Sequence, residues 1–164
     1  MSDHDTELLE RYSSSGIVVD ANLLHLLVVG SHDPEHISRF KRTRIFTQED
    51  FLALTLVLEP FKKIITTPNI LTEVNSFLNQ LANDFKPAFY TAFANKISTL
   101  EEIHLTSSEI ARKDEFVLFG LTDAGIFHSA EGKYLVLTTD ARLAVYLQAR
   151  GIGAINFNHL REYL

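Results

Sequence analysis

The chain reads as an α/β domain built on a largely parallel sheet, and three observations predict it. Short, wholly apolar runs rich in β-branched residues recur along the chain, beginning with Ile17-Val18-Val19. Such runs suit strands covered on both faces rather than strands with one wet face. Segments of helical period lie between them, and alternation of strand with helix is the order that yields parallel sheets. The composition agrees: 164 residues, 46% hydrophobic with twelve Phe, and 22% charged. That is enough apolar material for one core of ordinary size and too little charge for disorder.

In chain order, residues 1–16 form a polar, acidic leader and residues 17–164 a single domain. The strand Ile17-Val18-Val19 ends at Asp20, and Ala21 to Val29 reads as a helix stopped by Gly30. Ser31 to Arg44 is polar, so residues 31–46 are expected to form a surface insertion. Thr47 then caps a helix to Leu58, with Asp50 three residues on as a variant of the capping box. Lys63 to Thr66 is a second strand. Pro68 suits the first turn of a helix whose apolar stripe is Ile70, Val74, Phe77, Leu78 and Leu81. Phe89 to Ile97 reads as a helix and Glu102 to Leu105 as a third strand. Phe116 to Ala130 is helical and closed by Gly132; Tyr134 to Leu137 is a strand, Ala141 to Arg150 a helix, Ala154 to Phe157 a strand, and Leu160 to Leu164 a terminal helical turn.

Composition also excludes some functions. Without Cys there are no disulfides and no thiolate metal sites, which suits a reducing compartment. The start lacks the basic end and apolar run of a secretory signal, and no apolar stretch approaches the ~20 residues that span a bilayer. A soluble, cytoplasmic protein with no membrane partner is expected. Fifteen Lys and Arg against twenty-one Asp and Glu give a net charge of −6. A domain holding nucleic acid by phosphate neutralisation alone would be basic. Either nucleic acid is not the partner, or bound cations and a local basic patch reverse the sign at the site.

Four acids stand where apolar patterning would not put them. Glu73 occupies a place in the stripe Ile70, Val74, Phe77, Leu78. Asp123 lies four residues after Phe119 and four before Phe127, so both acids point to the core side of their helices. Asp20 and Asp140 end apolar strands, where an open parallel sheet binds ligands if the two strands are neighbours. Each has a bland reading: Asp20 and Asp140 as N-caps only, Glu73 at the stripe's edge reaching solvent. Asp123 is harder to explain so, having no Lys or Arg within a turn. Buried together, such carboxylates repel unless they are protonated, paired with basic groups, or bound to cations. Hard oxygen donors without Cys or paired His point to Mg²⁺ or Mn²⁺ rather than Zn²⁺. Ions of that kind lower the pKa of a bound water and polarise a phosphodiester, so no protein nucleophile is needed.

At these residues the chain resembles the PIN-domain nucleases, notably the VapC-like toxin branch. IVVDANLL resembles the family's opening strand with its first acid and the polar residue two later, here Asp20 and Asn22. TPNILTEVNSFL is similar to the second block and carries Glu73; LTDAGIFHSA resembles the third and carries Asp123. LVLTTDARLAVYLQARGIGAINF resembles the last, with Thr138 two before Asp140. The resemblance runs from about Ile17 to Phe157, with four blocks in the family's order. It implies a three-layer α/β/α fold on a five-stranded parallel sheet, and cleavage of single-stranded RNA. It also implies Asp20, Glu73, Asp123 and Asp140 as ligands of Mg²⁺ or Mn²⁺, or as groups orienting metal-bound water, with Asn22 and Thr138 supporting them by hydrogen bonds. A homodimer and an antitoxin protein partner are further expectations.

Arg39, Lys41, Arg42 and Arg44, with Phe40 and Phe46 interleaved, read either as a grip on RNA phosphates with a stacked base or as a solvated loop, the commoner fate of a short charge run. His25 and His128 sit on apolar helices and read as packed rather than catalytic; the Phe residues from Phe77 to Phe93 read as core or dimer surface. A competing reading is a catalytically silent PIN-like module that binds RNA or a protein. A haloacid-dehalogenase-like phosphatase would need an Asp two residues after Asp20, where Asn22 stands.

Overall fold

The computed structural model describes residues 2–163. Strands β1 (Ile17–Val19), β2 (Ile64–Thr66), β3 (Glu101–Glu102), β4 (Leu135–Thr138) and β5 (Ala154–Asn156) form one sheet, all pairs parallel, in the order β3-β2-β1-β4-β5. Every residue of β1, β4 and β5 is buried, as their largely apolar runs require. Helices α1 (Asp3–Tyr12), α2 (Ala21–His32), α3 (Gln48–Leu58), α4 (Pro68–Leu78), α5 (Lys86–Ile97), α6 (Ser107–Ile110), α7 (Asp114–Ala130), α8 (Ala141–Ala149) and α9 (Phe157–Leu160) cover the sheet in a three-layer α/β/α arrangement. None of the described helices is long and apolar enough to cross a membrane.

The topology positions the site. From β1 the chain steps outward through β2 to β3, then returns to the other flank of β1 for β4 and β5. The order therefore reverses between β1 and β4, which pair with Val19 opposite Leu137. Asp20 and Asp140 follow these two strands, at the crevice where open α/β sheets bind ligands. β3, at the edge, is exposed, and its Glu101 meets Lys63 at 2.8 Å, a charged finish that discourages further strand pairing.

Several expectations change in detail. α2 runs through Gly30 to His32, because Gly30 is a packing device and not a stop: a Cβ there would stand 2.3 Å from the Phe51 ring of α3. α4 ends at Leu78, with Leu81 buried just beyond it, and β3 is shorter and earlier than Glu102–Leu105. The expected helix over Phe116–Ala130 is broken at Gly120, whose φ of 80° and ψ of −176° are open to Gly almost alone. The spacing of Asp123 from Phe119 thus crosses a kink, and Asp123 takes its orientation from the segment after it. The leader is not a loose tail. It forms α1, capped by Ser2, which buries Leu8 and Leu9 in the core and sets Tyr12 against Gly153. Residues 31–46 are likewise packed: Ile37, Phe40, Thr43 and Phe46 are buried, and the Thr43 hydroxyl donates to the Ile37 carbonyl at 2.6 Å. The last turn, expected over Leu160–Leu164, is taken up by α9 and a 3-10 turn over Arg161–Tyr163; Leu164 lies outside the described residues.

Candidate active site

Asp20 is the most constrained of the four acids. It caps α2 by accepting from the Leu23 amide on Oδ1 at 2.8 Å. Its Oδ2 accepts from the Thr138 hydroxyl (2.8 Å), the Thr139 amide (2.6 Å) and the Thr139 hydroxyl (3.1 Å). Burial nevertheless pushes its carboxyl above the ordinary aspartate value, and those four hydrogen bonds oppose the rise. Oδ2 has no lone pair to spare, so only Oδ1 remains for a ligand.

Asp140 is exposed and caps α8, its Oδ1 accepting from the Arg142 and Leu143 amides at 2.8 and 3.0 Å. The cap readings of Asp20 and Asp140 are thus correct, and both sit at the strand-order reversal as well. Thr138 ties them together: its hydroxyl donates to Asp20 and accepts from the Asp140 amide at 3.0 Å. Asn22 bonds Thr139 at 3.3 Å and reaches Asp20 only through it.

Asp123, half-buried on the segment of α7 after the kink, is pushed up to about 7 by burial first and then by the charges of Asp140, Asp20 and Glu73. Glu73, half-buried on α4, is also raised: burial leads, the Thr122 hydroxyl beside it opposes, Asp20 adds and Arg42 subtracts. Acids from four separate segments therefore feel one another across this end of the sheet. Among the described residues, none of the four is in a salt bridge with Lys, Arg or His. Comparison with family models and with curated proteins returns no match for this chain.

The donor chemistry, hard carboxylate oxygens with uncompensated charge, fits a divalent cation such as Mg²⁺ or Mn²⁺. The shell is not pre-assembled: among the described residues no three His, Asp or Glu side chains are arranged to hold an ion. Asp123 and Glu73 would hold it with the free oxygen of Asp140 and the remaining lone pair on Asp20 Oδ1.

Pattern reasoning missed Thr139, which places two of the four donors on Asp20, and Thr122 beside Glu73. It also missed Asn158, whose amide donates to the Thr139 carbonyl at 2.9 Å. The only signal was the Thr-Thr-Asp run itself, short hydroxyl side chains of the kind that bond neighbouring backbone and carboxylates. The basic run divides. Arg39, Lys41 and Arg42 line a cleft with His25, and the Arg42 guanidinium lies 4.6 Å from the Phe77 ring centroid. Arg44 is exposed but does not line that cleft, and Phe46 is buried, so it offers no stacking face. Phe77, Phe89 and Phe93 are core, as expected. His128 packs 3.2 Å from Glu115.

Proposed function

We propose that this chain is a cation-assisted phosphodiester hydrolase of the PIN-domain type that cuts single-stranded RNA. The observation carrying the reading is the convergence of Asp20, Glu73, Asp123 and Asp140 from four segments, with Asp123 held to about 7 by burial and by the other three. Carboxylates crowded this way destabilise the empty fold, and retention of such strain at a sheet's ligand-binding end is a mark of function. A bound Mg²⁺ or Mn²⁺ supplies an acidified water and offsets charge on the phosphodiester. Thr138 and Thr139 fix Asp20 in one rotamer. Asp140, held by two helix amides, presents its other oxygen. Asp123 would hold the cation in its deprotonated form.

The test is cleavage of a single-stranded RNA. Activity requires Mg²⁺ or Mn²⁺, is abolished by chelator, and is absent from Asp123→Asn while the circular dichroism spectrum is unchanged. Cleavage surviving both treatments contradicts the reading. That no ready ion shell is found among the described residues favours a second reading, a silent RNA- or protein-binding module. That reading predicts binding without cleavage in any divalent cation. The toxin role, with its antitoxin and homodimer, belongs to the same proposal. It predicts growth arrest on expression, relieved by the product of an adjoining short reading frame.

A further inference from the structure

Beside the acids lies a cleft of about 300 Å³, near the lower size for a small-ligand pocket. His25, from α2, lines it, is 1% exposed, and leaves its Nδ1 without a hydrogen-bond partner among the described residues. Burial and the nearby Arg42 charge lower this imidazole to about 4, so at neutral pH it is an uncharged ring. A buried polar atom left unpaired costs roughly 1–3 kcal/mol and calls for an explanation.

The same cleft holds a second case. His36 engages Asp33 through Nδ1 at 2.6 Å, and its buried Nε2 too has no partner among the described residues. Its ring lies edge-on to Phe85 at 4.9 Å, and Phe85 is 38% exposed. Arg39, Lys41 and Arg42, all exposed, supply positive charge at the same cleft, while the whole chain is acidic.

These features select one chemistry. The cations call for an anion, the aromatic edges for a flat ring, and the two unpaired imidazole nitrogens for hydrogen-bonding groups on that ring's edge. An inorganic anion would leave the imidazoles unpaired, and so would an aliphatic side chain. Phe77, under Arg42, is one helical turn beyond Glu73 on α4, and the Arg42 charge is felt by both Glu73 and His25, so the cleft adjoins the acids.

We propose that this cleft is a nucleotide subsite, holding one base against Phe85 with His25 and His36 at its edge, and its phosphate on Arg39, Lys41 and Arg42. It rests on the hydrolase reading for its role alone, as the seat of a nucleotide flanking the cut, and not for its occupancy, which needs neither cation nor acids.

Calorimetric titration of the full chain with AMP, GMP, CMP and UMP in excess chelator is the test, with inorganic phosphate and ribose 5-phosphate as controls. At least one nucleotide binds about tenfold tighter than either control, a gain of roughly 1.4 kcal/mol. Arg42→Ala weakens it about tenfold or more. His25→Leu keeps phosphate contact and loses discrimination among bases; if that variant does not fold, Arg39→Ala and Arg42→Ala decide. No saturable binding, controls binding as well as nucleotides, or indifference to Arg42→Ala overturns the subsite. Nucleotide binding without RNA cleavage overturns the hydrolase reading alone, and cleavage without nucleotide binding overturns the subsite alone.

Discussion

Two acids on one helix are treated in opposite ways. Glu115 and Asp123 both belong to α7, on either side of the Gly120 kink. Glu115 is buried, and burial alone would raise its carboxyl. Its backbone amide, the Tyr146 hydroxyl at 3.0 Å and His128 at 3.2 Å together bring it below the usual glutamate value, with Arg150 at 3.6 Å. Asp123 is driven up to about 7, by burial first and then by the charges of three more carboxylates. Glu115 shows that this sequence can furnish partners for a buried acid. Among the described residues Asp123 has no such partner, and the proposed reading has a cation supply the compensating charge.

The largest expected effect breaks the comparison at Asp123. Asp123→Asn lowers cation-dependent RNA cleavage by at least about a hundredfold while removing no structural partner. The same substitution stabilises the cation-free protein. The shift from 3.8 to about 7 sets a ceiling of roughly 4 kcal/mol above neutrality, which solvent screening reduces to about 1–2 kcal/mol. Glu115→Gln does the reverse. It strips charge from a paired site and costs roughly 1–3 kcal/mol in urea unfolding, with cleavage retained.

The pH dependence sharpens the contrast. Asp123 holds its proton more tightly folded than unfolded, so its contribution falls as pH rises from about 4 to about 7. His25, lowered from 6.5 to about 4, has the opposite sign: the unfolded chain binds its proton first, and stability rises with pH over that interval. In wild type the two slopes oppose each other. In Asp123→Asn the falling contribution of Asp123 is lost, so stability drops less, or rises more, between pH 5 and pH 7 than in wild type, which urea melts at the two pH values distinguish. Gly120→Ala costs about 1–2 kcal/mol: among the described residues no neighbour lies within 4 Å of the added Cβ, so the cost is the backbone's alone. It also disturbs the hinge that aims Asp123.

Much of this was legible in the sequence because it is periodic. Ile17-Val18-Val19 and Leu135-Val136-Leu137 could be nothing but covered strands, and parallel alternation places the residues after them at the sheet's carboxyl edge. The four acids stood out because each interrupts such a pattern. What escaped was non-periodic. Gly120 breaks α7 through a backbone angle that leaves no apolar signature, and Gly30 resembles a terminator although it serves a close approach to Phe51. The role of Thr139 depends on register, since it meets Asp20 only because β1 and β4 are neighbours. The leader looked solvated because α1 buries little more than Leu8 and Leu9.

Calorimetric titration of wild type and Asp123→Asn with Mn²⁺ at pH 7, in two buffers of different ionisation enthalpy, tests the shared charge of the four acids most directly. With Asp123 raised to about 7, Mn²⁺ binding to wild type should release protons. Asp123→Asn should bind weakly and release fewer. Equal binding to both proteins, or no binding to wild type at millimolar Mn²⁺, would contradict the claim that these carboxylates await a cation.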